Sequence, residues 1–202
     1  MEYKDIKYEA IYRNIKYPRL EFKTGTLQLI LPVGENPKDL IDKHKNWIIK
    51  KQEFIKECLK ESRDKKISNR TNDEFKNLVF TFAKSIPSKL GVEINKIFFR
   101  RMRTKWASCS PKRNLTINTL MKYLPKRLVE YIMYHEFTHL IEKRHNDRFW
   151  KLISKRFKNY KDLERTLFTY WFFINKKISI SHKNKLHEIE IASTKKEVIQ
   201  NG

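Results

Sequence analysis

Three of the chain's six histidines fall within eleven residues, at positions 135, 139 and 145, and no other feature limits the fold as tightly. His135 and His139 are four residues apart in the segment PKRLVEYIMYHEFTHLI, whose apolar residues recur at helical spacing. On an α-helix, residues i and i+4 lie about 40° apart around the axis and one turn apart along it, so both imidazoles can reach one point. Glu136 sits beside the first histidine. HEFTH, in the middle of that helix, therefore supplies two nitrogen ligands and a carboxylate in five residues. His145 lies beyond the expected helix end near Lys143 and can fold back as a third ligand. Imidazole nitrogens suit Zn2+, which in reactive sites keeps three protein ligands and one open position. One ion per chain is expected, with Glu136 placed to take a proton from water and return it to a leaving amine. Glu164 is the alternative third ligand, but it reads equally well as an exposed helical residue, so His145 is preferred. A zinc site closed to water, bracing the fold without catalysis, is a further alternative.

The rest of the chain has the means to build a core around such a site. It has 202 residues, 40% hydrophobic, with 13 Phe, 9 Tyr and 4 Trp, which excludes a disordered polybasic chain. The 45 Lys and Arg against 23 Asp and Glu give a formal net charge of +22, a field that favours anionic partners, nucleic acid or nucleotide among them. A lysine-rich proteome would give the same charge with no partner at all. Cys58 and Cys109 are too few for a disulfide framework, and neither belongs to a CxxC pair. The N-terminus lacks a signal-peptide core, and no apolar run approaches the ~20 residues of a membrane span. A cytoplasmic setting with no membrane partner is the expectation.

Residues 6–33 alternate apolar and polar, and IKYEAIY, RLEFK and TLQLILP read as short strands. From Pro37 to about Glu61 the period becomes helical. Residues 1–62 thus form a small β-rich domain closed by a helix, and the polar stretch 63–72 reads as a linker. A helix at about 73–86 follows, then two extended stretches, 94–102 and 114–121, around the loop RTKWASCSPKR. The HEFTH helix starts at Pro125, and further helices are expected at about 146–157 and 161–174. The fold class is α+β: the β-rich N-terminal domain, then a mainly helical domain at 73–175 with a small sheet. A charged tail occupies 176–202.

The HEFTH pattern alone does not choose among zinc peptidase classes. Glu142 stands where a metzincin has its turn glycine, and no methionine follows Met133 to make a Met-turn. Three runs together, RMRTKWASCS, NLTINTLMKYLP and YIMYHEFTHLIEKRHNDRFW, resemble the YgjP-like metallopeptidases, relatives of the SprT-like zincins. The likeness covers about residues 5–170. It includes Arg103 before the Trp106–Ser110 loop, Pro125 before the helix, and His145 with Phe149 and Trp150. Ala107 replaces the family's usual glycine, and Phe137 its usual leucine. The resemblance implies a zincin-like metallopeptidase domain in which His135, His139 and His145 bind zinc and Glu136 is the base, acting on a peptide or protein substrate. Arg103, Trp106, Ser108 and Cys109 are the expected substrate-binding residues, with the strand after their loop as the edge that pairs with an extended peptide. The plainer reading makes Trp106 core and Cys109 a small buried filler, with Cys109 as an extra ligand a remote option. Two rival functions keep the same metal site: a nucleic-acid-associated protease of SprT-like type, and a nucleoside triphosphate pyrophosphatase. The second lacks a GxxxxGK[ST] loop.

Overall fold

Period-two alternation in TLQLILP sends Leu27, Leu29 and Leu31 to one face of a strand, and all three are fully or almost fully buried. The structure, a computed structural model, describes residues 1–23, 26–62 and 65–177. These fall into two compact units, residues 1–63 with the stretch from Trp171 onward, and residues 64–170. No helix among the described residues is long and apolar enough to cross a membrane. The tail expected at 176–202 lies outside the described residues from 178 on.

In the first unit, strands β1 (Glu2–Tyr3), β2 (Ile6–Arg13), β3 (Arg19–Lys23) and β4 (Thr26–Pro32) form one sheet in the order β1-β2-β4-β3. β2 runs parallel to β4, pairing Tyr8 with Leu27, and β3 is antiparallel to β4. Helix α1 (Pro37–Glu61) starts on Asn36, whose side chain accepts from the Lys38 N–H at 3.0 Å. Leu40, Ile41 and Ile48 of α1 join Ile6, Tyr8 and the three leucines in one cluster. Ile55 and Cys58 pack with Phe172 in a second.

The second unit begins with residues 65–71, which have no regular structure but are tied down by hydrogen bonds. Arg70 donates to the carbonyls of Lys122 and Leu124 at 3.1 and 2.5 Å, and the Ser68 N–H donates to the Tyr123 carbonyl. Helix α2 (Asn72–Leu90) then opens on a reciprocal cap. Thr71 Oγ1 accepts from the Glu74 N–H, and the Glu74 carboxylate accepts from the Thr71 N–H. It ends at Gly91, whose φ of +65° is the left-handed conformation such an ending needs. Strands β5 (Ile97–Arg100), β6 (Ala107–Cys109) and β7 (Leu115–Asn118) follow, then a 3-10 turn (Thr119–Tyr123), α3 (Lys126–Thr138), α4 (Asp147–Arg156) and α5 (160–177). The last residues of α5, from Trp171, belong to the first unit. Strands ahead of helices make this an α+β protein.

Two sequence expectations change here. The loop RTKWASCSPKR contains β6, a three-residue strand too short to announce itself by periodicity, formed because a tight turn at 110–114 folds it onto β7. In that turn the Arg113 N–H donates to the Ser110 carbonyl, with Arg113 at φ +57°, and the Ser110 N–H donates to the Asn114 carbonyl. The sheet order is β5-β7-β6, so β7, the strand expected to be the edge, is central and β6 is the edge.

Asn118, fully buried at the end of β7, holds that edge in place. Its Nδ2 donates to the carbonyls of Met102 and Lys105 at 2.9 and 2.7 Å, and its Oδ1 accepts from the Leu120 N–H at 3.1 Å. Alanine there would leave two inward carbonyls and an N–H without partners. Asn118→Ala is expected to cost about 2–4 kcal/mol in urea denaturation of the full chain; a loss within error of zero would mean the segment before β6 is held otherwise.

Candidate metal centre

Helix α3 is buried nearly all round, through Leu128, Val129, Tyr131, Ile132, Met133, Tyr134 and Phe137; His135 and Glu136 follow Leu128 and Val129 by seven residues, so they continue the same face at its half-buried end. Pro125 is its cap rather than its first residue, extended at φ −52° and ψ 146°. The helix stops at Thr138, earlier than the sequence suggested, and HEFTH sits at its end instead of its middle. His139 is the C-cap, and the chain tightens into i→i+3 bonds from Leu140 to Phe137 and from Ile141 to Thr138. The Thr138 hydroxyl meanwhile donates to the Tyr134 carbonyl at 2.8 Å. This early stop lets the chain reverse within a few residues. Asn146 then caps α4 by accepting from the Phe149 N–H at 3.0 Å, which sets His145 against the helix it has just left.

The three histidines meet. One ring nitrogen from each of His135, His139 and His145 lies within 4.8 Å of the others, and the Nε2 atoms of His135 and His145 are 3.0 Å apart. Imidazole nitrogens on one tetrahedral zinc would be about 3.3 Å from each other. The donor set thus fits a divalent ion in chemistry and in spacing. The opposite ring nitrogens are also engaged. His139 Nδ1 lies 3.2 Å from the Glu142 carbonyl, to which it donates. His135 Nδ1 faces Glu164 Oε1 at 3.6 Å, and that same oxygen accepts from the Tyr131 hydroxyl at 2.5 Å. Protons on the Nδ1 atoms leave the Nε2 lone pairs for an ion, an arrangement that orients ligands and raises their basicity.

Rings hold the cluster from below. Phe149, fully buried, lies with its centroid 4.9, 4.6 and 4.7 Å from those of His135, His139 and His145. Trp150 stacks on His145 at 5.5 Å and on Tyr160 at 4.9 Å. Burial, and next the charge of His135, lower the pKa values of His139 and His145 from the ordinary imidazole value, which favours the neutral, ligating form of both. Burial also pushes the Glu164 carboxyl upward, but His135 and Tyr131 more than offset it and hold it ionised, below its ordinary value.

Glu136 is set for proton transfer. Burial raises its pKa, with Glu164 adding to the rise, while His135, the backbone N–H of Cys109 and Lys105 pull the other way without cancelling it. The Cys109 bond links the carboxylate to edge strand β6. Burial, with the Glu136 charge, pushes the Cys109 thiol up to about 11, so it stays protonated and is a poor metal ligand.

A cleft of about 780 Å³ opens over these groups. Trp106, Ser108 and Cys109 line it with His135, Glu136, His139 and His145, whereas Arg103 is exposed at the bend before β6 and is not part of the lining. Trp106 is half-buried in the cleft wall rather than core. The sequence reading missed Tyr131 and the supporting role of Glu164. Tyr131 could have been found, since it lies four residues before His135 on the same helical face; no local signal marks Glu164.

The model of the YgjP-like, metallopeptidase domain matches residues 56–170, more than half of the chain and all of the groups just described. The chain belongs to the YgjP-like metallopeptidase family. Among solved structures it is similar to the metallopeptidase zymogen abylysin of Pyrococcus abyssi, with 23% identity over 45% of this chain and 92% of that one and a TM-score of 0.42. It is also similar to the metallopeptidase zymogen jannalysin of Methanocaldococcus jannaschii, with 27% identity over 46% of this chain and 89% of that one and a TM-score of 0.37. No curated protein matches the chain. A metallopeptidase domain implies a bound metal.

Two measurements probe the centre. Glu164→Gln keeps the shape but removes the charge facing His135, and metal affinity by chelator competition is expected to fall about 10–100-fold; an unchanged affinity would reduce Glu164 to a surface acid. In metal-free Glu136→Gln protein, the lowered pKa values of His139 and His145 mean that the unfolded chain takes up protons first as pH drops through ~6.5. Thermal stability should therefore fall between pH 7.5 and 5.5, and His145→Ala should flatten that slope.

Proposed function

We propose that this protein is a zinc metallopeptidase in which His135, His139 and His145 hold one Zn2+ per chain and Glu136 is the general base. The observation that carries the reading is the convergence of three imidazole nitrogens within 4.8 Å beside a carboxylate of raised pKa on the wall of an open cleft. Zinc bound there would supply Lewis-acid polarisation of a peptide carbonyl and make water more acidic. Glu136, tethered to β6 through the Cys109 N–H, takes the proton of the attacking water and delivers it to the departing amine. Its raised pKa suits both halves of that transfer. A carboxylate held at its ordinary value would be a weaker base and would take the proton from water less readily.

The substrate reading follows from the edge strand. β6 pairs with β7 on one side, and among the described residues no strand covers its other side. An extended peptide added to that free edge would run through the cleft lined by Trp106, Ser108 and Cys109. A second reading, favoured by the +22 net charge, keeps the peptidase chemistry but places the protein on nucleic acid. It calls for DNA affinity that falls steeply with salt. Two free cysteines suit a reducing, cytoplasmic setting.

Glu136→Gln should lower turnover of a peptide substrate by about 10²–10⁴-fold while zinc remains bound at one equivalent. Near-normal turnover in that variant would sink the mechanism, and loss of zinc along with activity would make Glu136 a ligand instead of a base.

A further inference from the structure

We propose that the cleft selects peptides with acidic side chains on both sides of the scissile bond, recognised by Lys105, Arg113 and Lys143; this rests on the peptidase reading above. Those three cations and two acids, Glu136 and Glu164, are the Lys, Arg, Asp and Glu residues that line the cleft. Both acids are already committed. Glu164 is held by Tyr131 and His135, and Glu136 stands at the reacting point. The three cations are exposed, so what an incoming chain meets at the rim is positive charge. The wider field has the same sign, with 25 Lys and Arg against 10 Asp and Glu in residues 64–170.

The positions of the cations suit an extended ligand. Lys105 is two residues before edge strand β6, and Arg113 lies in the turn that follows it. From Lys105 to Ser110 an extended chain covers roughly 17 Å, so a peptide along β6 passes a cation about two or three residues to either side of its midpoint. Lys143 comes from the turn between the second and third histidines. Arg113 also contacts Glu93 at 3.4 Å, but both side chains are more than half exposed and such a pair exchanges readily. Nucleic acid fits less well. Its strand carries a phosphate about every 3.4 Å and wants a continuous basic track. Here Ile132, Leu140 and Leu167 interrupt the cations.

Exposed pairs are individually weak and screened by salt. Three together should give roughly a ten-fold preference at low ionic strength, largely lost at high salt. The test uses zinc-loaded full-length protein and quenched peptides of one core sequence with Asp/Glu, Asn/Gln or Lys flanks. kcat/KM is measured at low and high salt, and binding of the same peptides to zinc-loaded Glu136→Gln by fluorescence anisotropy. Acidic flanks are expected to rank first in both assays. Charge reversal by Lys105→Glu, Arg113→Glu and Lys143→Glu together should invert the order, and Lys143→Glu alone should narrow it if the triple variant melts early. Equal ranking of the three peptides overturns the selectivity and leaves the peptidase reading intact. An intact binding order with no turnover of any peptide keeps the selectivity and removes the peptidase reading. Tighter capture of a single-stranded oligonucleotide, abolished by charge reversal while the peptide order is unmoved, would make the cleft a nucleic-acid site and end the proposal.

Discussion

Bringing three imidazoles to one point imposes a hydrogen-bonding condition that much of the second unit serves. A neutral imidazole has one N–H and one lone pair, and aiming three lone pairs at the same place requires suitable surroundings for the opposite ring edges. His139 meets the condition with the Glu142 carbonyl, and His135 faces Glu164. His145, the most exposed, is held by its stack on Trp150. The early end of α3 belongs to the same condition. Had the helix continued to Lys143, the Glu142 carbonyl would point along the axis, away from His139, and His145 would be carried off by the next turn. Stopping at Thr138 frees that carbonyl and turns the chain back. Fully buried Phe149 lies against all three rings, so the ligands share one rigid wall.

The carboxylate depends on a different part of the fold. Glu136 is held through the backbone N–H of Cys109, so its place depends on β6. β6 in turn is a three-residue strand whose approach is fixed by Asn118, two of whose hydrogen bonds reach the carbonyls of Met102 and Lys105. A buried amide on the central strand thereby sets the position of a base two elements away. Because the same strand edge is open, the groups that orient Glu136 and the surface that would align a peptide are one piece of structure.

Much of this was legible in the sequence, for reasons that differ by element. The β4 leucines and the α1 apolar stripe are strictly periodic, and their strand and helix appear where the periods place them. HEFTH is legible because its chemistry is compressed into one helical turn. The helix end was misjudged because its cause is tertiary. Nothing in LIEKRH, which lacks glycine and proline, marks a stop; the stop comes from the turn that returns His145 to the cluster. β6 was hidden by its length, and the mistaken edge followed from it, since a sheet order cannot be read when one strand goes unseen. Glu164, weighed as an alternative ligand, sits behind His135, a position that depends on how α5 packs and on no local pattern.

Charge ties the centre to its surroundings. A dication in a protein of net charge +22 meets an unfavourable field, and neutral imidazoles do nothing to offset it. In the proposed zinc form, Glu136 and Glu164 supply two negative charges against two positive ones, so the centre as a whole is close to neutral. That balance has a consequence at the rim. Once the two acids are matched to the ion, neither remains to neutralise Lys105, Arg113 and Lys143, and the cations face solvent with only Arg113's exposed contact to Glu93 against them. The two carboxylates are half-buried, which weakens the screening of their attraction to the ion, and Glu164 is tied to Tyr131 and His135 rather than to the rim. A positive cleft over a neutral centre follows from where the acids are spent, and its complement is a ligand that brings acids of its own.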